Sequence, residues 1–575
     1  MDFRKGRKET GGAAREFAQP EVMDQAKTLH DEENREPAAR KRASVDGRHT
    51  VLPGKKDDTG GVKGAKMIES YAWWTEEQIA FAAEIEEFAR SVLPRDAETR
   101  WTREFPWDIF EKIGERHYAG AAIPKEYGGL GLGCTGACIA TEAFGPMPGV
   151  NRVFGGNMLG GLHQLLGHGT EEQKKKFLPR IVSGEIGAIV ITEPVAGTDA
   201  AAIALEARRE GDVYILNGKK RFIVSAGVAS RYMVYARTSN DPEDIRKHRH
   251  LTAFILEKGA KGFSVEKIND LIGFSNIQNG VLDFEDVEIP VANRIGKEGD
   301  GWAVMTGGLN FERTIISAQA MSWLGELLKN AVPYTQRRVQ FGHPTIDIPT
   351  NQFKIADLVL KRRATRLFTY HTAYMWDLGK DTTIDSNLIK VFNLECAMQG
   401  SLDAIQLVGG DGTTLFYPFE EIMQVAKVDS ISGGTMEACR MVIFRTAMKQ
   451  LADQISWRRR VPHPELGVPV PANGALTKET TIDKEKLLEI LAEDYRVNPG
   501  LYMARQDLKD VIDVDDATLD ELLVSLEQEG LVWLNRTKKG IELAKASYKG
   551  LKRANPKEHY KWYPAWIENG RDRVF

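Results

Sequence analysis

Cysteine is scarce here: the 575-residue chain has four, and Cys134, Cys138, Cys396 and Cys439 make no CxxC pair and no second cluster. That excludes a zinc ribbon or a disulfide framework, and it suits a reducing compartment. An excess of one charge sign is also missing. The formal net charge of −4 gives no global attraction to nucleic acid or to an anionic membrane. No apolar run approaches the roughly 20 residues that cross a bilayer. The first residues are basic but carry no apolar stretch, and Asp2, Glu9, Glu16 and Glu21 argue against a mitochondrial leader. The expected location is cytoplasmic.

What is present is the balance of a globular protein, 42% hydrophobic and 27% charged, in a chain too long for one core. Residues 1–66 are dense in charge and small polar residues and read as a flexible tail. The run Thr75-Glu76-Glu77-Gln78 is a capping box that opens a helix with Ile85, Phe88, Ala89 and Val92 on one face. Helical patterning fills 67–190. Over 191–300 the pattern turns to short β-rich runs, VYIL at 213–216, RFIV at 221–224, YMVYA at 232–236 and LTAFIL at 251–256, and Asn217-Gly218 predicts a hairpin between the first two.

Long helices return over 301–455, a proline-rich linker follows at 456–476, and residues 477–555 read as three helices and a hairpin, which is winged-helix-like. An aromatic tail closes the chain at 556–575. The expected class is multidomain α+β. One motif is set aside. Gly131, Gly133 and Gly136 match GxGxxG, but no buried strand precedes them and no acid about 20 residues on is placed to hold a ribose.

A set of segments in fixed order carries more: AAIPKEYGGLG at 121–131, HGTEEQKKKFLP at 168–179, ITEPVAGTD at 191–199, GVLDFEDVEIPVANRIG at 280–296, LNFER at 309–313, RRVQFGHP at 337–344, QLVGGDG at 406–412 and ISGGTMEACR at 431–440. Over about residues 68–452 the chain closely resembles the acyl-CoA dehydrogenase family. The resemblance implies a helical domain, a β-barrel domain and a four-helix bundle that bind FAD without a dinucleotide fold, in a homotetramer. It places Thr192, Glu193, Gly197, Thr198 and Asp199 along the flavin and its pyrophosphate, with Thr198 also toward substrate. Phe222, Ile223 and Val224 stand where the family has Trp-Ile-Thr, so a hydroxyl is missing. Arg338 and Phe341 match a contact to the FAD of a neighbouring subunit, completed by Gln406, Gly409 and Gly410. Of the usual QxxQ, Pro349 replaces the first glutamine and Gln352 keeps the second. Thr435 and Glu437 occupy positions near the flavin, and they equally suit a helix cap and a first-turn acid. No metal is implied.

Removing a proton next to a thioester carbonyl needs a carboxylate in a dry pocket. Most of the family sets that glutamate just before a Gly-Thr pair; here Gly433 fills its place. A minority, similar to isovaleryl-CoA and long-chain acyl-CoA dehydrogenases, has it on an earlier helix directly before an arginine, as Glu312 and Arg313 are in LNFER. Glu312 shares a helix face with Ile315 and Ile316. The reading is therefore dehydrogenation of an acyl-CoA thioester to the 2-enoyl-CoA, Glu312 taking the α-proton and hydride passing from Cβ to flavin N5. Arg313 orients the thioester end of CoA or nearby backbone, and the Gly433 amide faces the thioester oxygen.

The implied electron acceptor is an electron-transferring flavoprotein; direct use of oxygen would make the chain an oxidase. A DNA-associated flavoprotein is the other alternative, because of the winged-helix-like segment. Asp513, Asp515, Asp516, Asp520, Glu521, Glu527 and Glu529 in and around its third helix would repel phosphate, which favours contact with protein. Residues 477–575 should accordingly show no salt-dependent retention of duplex DNA, even at low salt, in a filter-binding titration.

Overall fold

The computed structural model describes residues 69–451, 482–497, 501–537 and 540–556. The tail expected over 1–66, the linker over 456–476 and the aromatic tail beyond Pro556 lie outside them. The chain divides into two units, Met1–Tyr71 and Ala72–Phe575, and every described helix and strand belongs to the second.

Six helices come first: α1 (Glu76–Thr102), α2 (Trp107–Glu115), α3 (Gly133–Ala143), α4 (Pro148–Leu159), α5 (Leu162–His168) and α6 (Glu171–Val182). The capping box at Thr75 is formed in both directions, Gln78 N to Thr75 Oγ1 at 3.1 Å and Thr75 N to Gln78 Oε1 at 3.0 Å. Ile85, Phe88, Ala89 and Val92 are buried as their spacing predicts. The glycines of the discarded GxGxxG open α3. Its first amides are already engaged, Cys134 N and Thr135 N donating to the Asp377 carboxylate at 2.6 and 3.0 Å, so a side chain holds the place an anion would take.

Next come β1 (Gly187–Val190), β2 (Glu206–Glu210), β3 (Val213–Ile223), β4 (Arg231–Arg237), the short helix α7 (Pro242–Arg246), β5 (Leu251–Glu257), β6 (Phe263–Ile268), β7 (Gly280–Pro290) and β8 (Arg294–Ile295). They form one sheet in the order β6-β7-β3-β2-β4-β5-β8, with β1 parallel to β4. The hairpin expected at Asn217-Gly218 is not there. β3 runs straight through both residues, and its register against β7 shifts between Leu216 and Gly218. Asn217 exchanges hydrogen bonds with Asp286 on β7, through Nδ2 to Oδ1 and from the Asp286 amide to Oδ1, both at 2.9 Å. Gly218 takes φ +139° and Asp286 φ +52°. The same residue types that make a tight turn here make a bulge, because β7 offers a partner along the full length of β3.

The C-terminal helical domain contains α8 (Gly301–Arg337), α9 (Pro349–Asp377), α10 (Thr383–Val408), α11 (Phe419–Asp429) and α12 (Met436–Leu451). At 37 residues α8 is about 55 Å long. From Phe311 to Leu324 every residue is buried, the mark of a helix enclosed on all sides rather than amphipathic. Several of its polar side chains find partners within the protein: Ser317 Oγ on Arg313 O at 2.6 Å, Thr314 Oγ1 on Asn310 O at 2.8 Å, and Gln319 Nε2 on Asn151 O at 2.8 Å.

The last described segments contain α13 (Lys484–Val497), β11 (Met503–Ala504), α14 (Arg505–Val511), α15 (Asp516–Gln528), β12 (Val532–Thr537), β13 (Gly540–Ala546) and α16 (Tyr548–Ala554), with sheet order β11-β13-β12. Leu488, Leu491, Leu508, Leu519, Leu523 and Val532 share one core. The acids of the third helix are partly spent within this segment. Asp516 and Asp520 pair with Arg505, Glu527 with Arg536, and Glu529 with Lys484 and Arg553.

Helices α3 and α9 are joined by Glu142, whose carboxylate accepts from Arg362 Nη2 at 2.7 Å, Arg366 Nε at 2.9 Å and Tyr370 Oη at 2.6 Å. Burial alone would raise this carboxyl, but the two guanidiniums and the tyrosine hold it down to about 2 from an ordinary 4.5. The depressed value means that the stabilisation is present above about pH 4.5 and is lost as the pH falls toward 2. Glu142→Gln should cost about 3 kcal/mol at neutral pH, measured by urea denaturation, and its deficit against the wild type should shrink over that acid window.

Candidate active site

Glu312 sits in the enclosed middle of α8, far from its first turn, and is 6% exposed. A Cβ built on Gly433 would lie 3.3 Å from Glu312 Oε1 and 2.9 Å from Ile316 Cδ1, so the carboxylate reaches the space a side chain at 433 would fill. Gly433 and Gly434 have φ +61° and +90°, the left-handed region that glycine enters without strain. Arg313 Nε donates to Gly433 O at 3.3 Å, and Lys390 Nζ donates to Gly434 O at 2.7 Å. Both carbonyls of the turn are pinned. The Gly433 amide donates to no described residue. Of the two roles expected for Arg313, its hydrogen bond goes to nearby backbone.

Burial pushes the Glu312 carboxyl above its ordinary range, opposed by Arg152 on α4, by Arg313 beside it and by Lys390 on α10, and reinforced by Asp429 at the end of α11. Tyr235 on β4 also faces it closely enough for the two to interact. His163 on α5 packs against Phe311 with ring centroids 3.8 Å apart and the planes tilted by 51°, and burial pushes its imidazole down to about 3, so it stays neutral. A desolvated carboxylate with raised basicity beside an open backbone amide is suited to taking a proton from a carbon next to a carbonyl.

The loop after β1 and the end of β3 come together. Arg221 N donates to Thr192 O at 2.8 Å. Glu193 turns inward: its carboxylate accepts from the amides of Ala204 and Leu205 at 2.7 and 3.0 Å and from buried Lys220 at 2.8 Å, so its visible task is to fix the loop. Thr198 and Asp199 are exposed, and a Cβ on Gly197 would meet nothing within 4 Å. Phe222, at φ +58°, presents a ring that is 52% exposed, while Ile223 is buried and Val224 meets Gly156 of α4, its Cγ1 3.7 Å from a Cβ built there. An outward aromatic face beside an open, hydroxyl-bearing loop fits a flavin and its phosphates; Val224 offers no hydroxyl.

At the far end of α8, Arg338 and Phe341 flank a two-strand turn, β9 (Val339–Gln340) and β10 (His343–Pro344), and both are exposed. Tyr334 Oη donates to Asp411 Oδ2 at 2.7 Å, which holds this end against the turn bearing Gly409 and Gly410, with Gln406 just before it at the end of α10. Gln352 lies exposed in the first turn of α9. Thr435 Oγ1 accepts from Ala438 N at 3.2 Å and Glu437 is exposed in the first turn of α12, so the helix-cap geometry is the one formed. Sequence reasoning missed Arg152, Lys390 and Asp429. Arg152 and Lys390 are single charges inside apolar stretches, GVNRVFGG and LIKVF, which is the one signal that could have flagged them.

These features are those of an FAD-dependent oxidoreductase with a buried carboxylate in its helical core. Residues 75–185, 188–287 and 299–448 match the acyl-CoA dehydrogenase N-terminal, middle and C-terminal domains. The chain is 34% identical over 375 residues to an acyl-CoA dehydrogenase of Bacillus subtilis, covering 64% of this chain and 98% of that one. It is 35% identical over 382 residues to the mitochondrial isovaleryl-CoA dehydrogenase of Oryza sativa, covering 65% and 92%. The solved structure of butyryl-CoA dehydrogenase from Megasphaera elsdenii superposes with a TM-score of 0.63 at 32% identity, covering 65% of this chain and 98% of that one. The chain belongs to the acyl-CoA dehydrogenase family.

A methyl group at 433 would press on Ile316 and on the Glu312 carboxylate, and it would carry the cost of about 1 kcal/mol for a side chain in the left-handed region. Gly433→Ala should therefore keep its FAD and its melting temperature to within a few degrees while slowing substrate-dependent flavin bleaching by about tenfold or more, read by stopped-flow absorbance.

Proposed function

We propose that the protein dehydrogenates an acyl-CoA thioester to the 2-enoyl-CoA, with Glu312 as the base that removes the α-proton. The observation that carries this is the closeness of Glu312 Oε1 to the side-chain position at Gly433. The family's two alternative base positions converge on one point in space, and only one of them holds a carboxylate here. The proton moves from substrate Cα to the Glu312 carboxylate, and the charge that develops on the thioester oxygen is met by the unengaged Gly433 amide. Arg313 and Lys390 act at one remove, holding the turn that presents that amide.

FAD, when bound, supplies a two-electron acceptor for the β-hydrogen leaving as hydride. Thr192, Gly197, Thr198, Phe222, Ile223 and Val224 would hold it, with Gln352, Thr435 and Glu437 as further contacts. No hydrogen bond or ion pair joins Arg338, Phe341, Gln406, Gly409 and Gly410 to the Thr192–Val224 surface among the described residues. All five are exposed, which supports a role for them at the flavin of a second subunit. The assembly proposed is a homotetramer, for which the exposed Phe353, Leu360, Leu402, Leu415, Phe416 and Phe444 of the helical domain supply apolar surface. The proposed acceptor is an electron-transferring flavoprotein and the proposed location is cytoplasmic; among the described residues no helix is long and apolar enough to cross a membrane.

Glu312→Gln should retain FAD and lose substrate-dependent bleaching, and full bleaching in that variant would end the assignment. Because burial raises the Glu312 carboxyl, the bleaching rate should climb with pH along a limb lying above the ordinary glutamate range, and that limb should vanish in the variant. Comparing turnover with dye against turnover with oxygen separates dehydrogenase from oxidase.

A further inference from the structure

Tyr235 has a hydroxyl that no described residue engages in a full hydrogen bond. It lies fully buried on β4, on the same face as Met233, whose Cε is 3.5 Å from a Cβ built on Gly161 at the start of α5. Other tyrosines of the sheet are better placed. Tyr232, on the opposite face, uses its hydroxyl on the carbonyls of Ala226 and Ala229 at 2.9 and 3.0 Å, and Tyr214 uses its own with Glu298 and Arg294. A buried tyrosine ordinarily finds such a partner. Burial and the neighbouring Glu312 both push the Tyr235 hydroxyl up, so it stays protonated and what it offers is a donor.

Two acceptors stand on the side to which that donor points. Gln164 on α5 lies close enough to the phenol to act on it, and its own buried Oε1 meets no hydrogen-bond donor among the described residues. The Gln164 amide rests on bare backbone of α8, where a Cβ built on Gly308 would come within 3.2 Å of Nε2. Gly308 precedes Glu312 by four residues and shares its face. Glu312 is the second acceptor. Arg152 on α4, Arg313 on α8, Lys390 on α10 and Asp429 on α11 act on its carboxyl as charges, His163 on α5 stays neutral, and Tyr235 is the group that faces it from the sheet. One donor and two acceptors, all withdrawn from bulk water, make the partner set of a buried water molecule, which forms about three hydrogen bonds. The donor is held in place through its backbone, since Lys220 Nζ donates to Tyr235 O at 2.7 Å while pairing with Glu193.

We propose that Tyr235, together with Gln164, is a positioning residue for the base: one bound water accepts from the Tyr235 hydroxyl and donates to Gln164 Oε1 and to the Glu312 carboxylate. This rests on the reading of Glu312 as the base. A donor to the ionised carboxylate favours its charged form, so the arrangement opposes the burial that raises the carboxyl and keeps the base free to accept a proton near neutral pH.

The test uses the FAD-loaded full chain in a pair of pH titrations. One follows the infrared carbonyl band of the protonated Glu312 carboxyl, identified as the band missing from Glu312→Gln, and needs no substrate. The other follows the rate of flavin bleaching by butyryl-CoA or isovaleryl-CoA. Tyr235→Phe should move both midpoints up by about one pH unit. Gln164→Leu should move them in the same direction, and the double variant should add little to the larger single shift, because both residues act through one water. Midpoints that stay in place in Tyr235→Phe, even with a lower melting temperature or slower bleaching at every pH, would overturn the proposal and leave Tyr235 a packing residue. A downward shift would overturn it as well. Gln164→Leu carries the same test if Tyr235→Phe does not load FAD. A band that moves as expected, in a protein whose Glu312→Gln variant still bleaches fully, would instead sink the base reading on which the proposal rests.

Discussion

Enclosure of the middle of α8 is the constraint from which the rest of the molecule follows. A helix surrounded by protein for four turns can carry few polar groups, because each one removed from water must find a partner. Thr314, Ser317 and Ser322 meet that demand with backbone carbonyls close by, and the Gln319 amide nitrogen meets it with a carbonyl on α4. Glu312 does not. It is left in the core with neighbouring charge but no hydrogen-bond donor among the described residues, which is a poor arrangement for stability and a good one for basicity. Enclosure also fixes direction, since a carboxylate on a packed helix points at one place only.

That place is the turn between α11 and α12, and the turn is shaped to receive it. Two consecutive glycines let the backbone take a left-handed path, and Arg313 and Lys390 pull on the two carbonyls from α8 and α10. The Gly433 amide of that turn is left without a hydrogen-bond acceptor among the described residues. The proposed base and the proposed oxyanion donor thus come from distant segments, tied to each other by the hydrogen bond from Arg313 to Gly433, 120 residues apart in sequence. The guanidinium beside the base matters even though it need not touch substrate.

Much of this was legible in the sequence, for uneven reasons. That Glu312 lies against the turn at Gly433 could be anticipated because it stood in a fixed register, next to an arginine and with isoleucines one turn on, and because a glycine occupied the other place where the family sets a carboxylate. The helix at Thr75 could be read because a capping box is a local bond. Asn217-Gly218 misled, since the same two residues serve a turn or a bulge according to what lies alongside, and the partner of Asn217 on β7, Asp286, is 69 residues away. Glu193 shows a related limit. Its motif position suggested a cofactor contact, while its buried partner, Lys220, lies on another strand and was invisible to spacing. Arg152, Lys390 and Asp429 were missed because what they share is a location, and no short pattern encodes one.

The seal on α3 has a consequence for how the chain comes to be folded. The first amides of that helix are completed by Asp377, which is synthesised 243 residues later, and its last turn holds Glu142 for arginines on the same late helix. Until α9 is in place, the early helical segment has an uncapped helix end and a buried-to-be carboxylate without counterions. Its closure is a long-range event, entropically expensive and slow. The N-terminal helices are therefore not a module that can finish first and wait. They are completed from a helix that ends 243 residues after Cys134, so a ribosome must deliver α9 before α3 has its cap and its counterions.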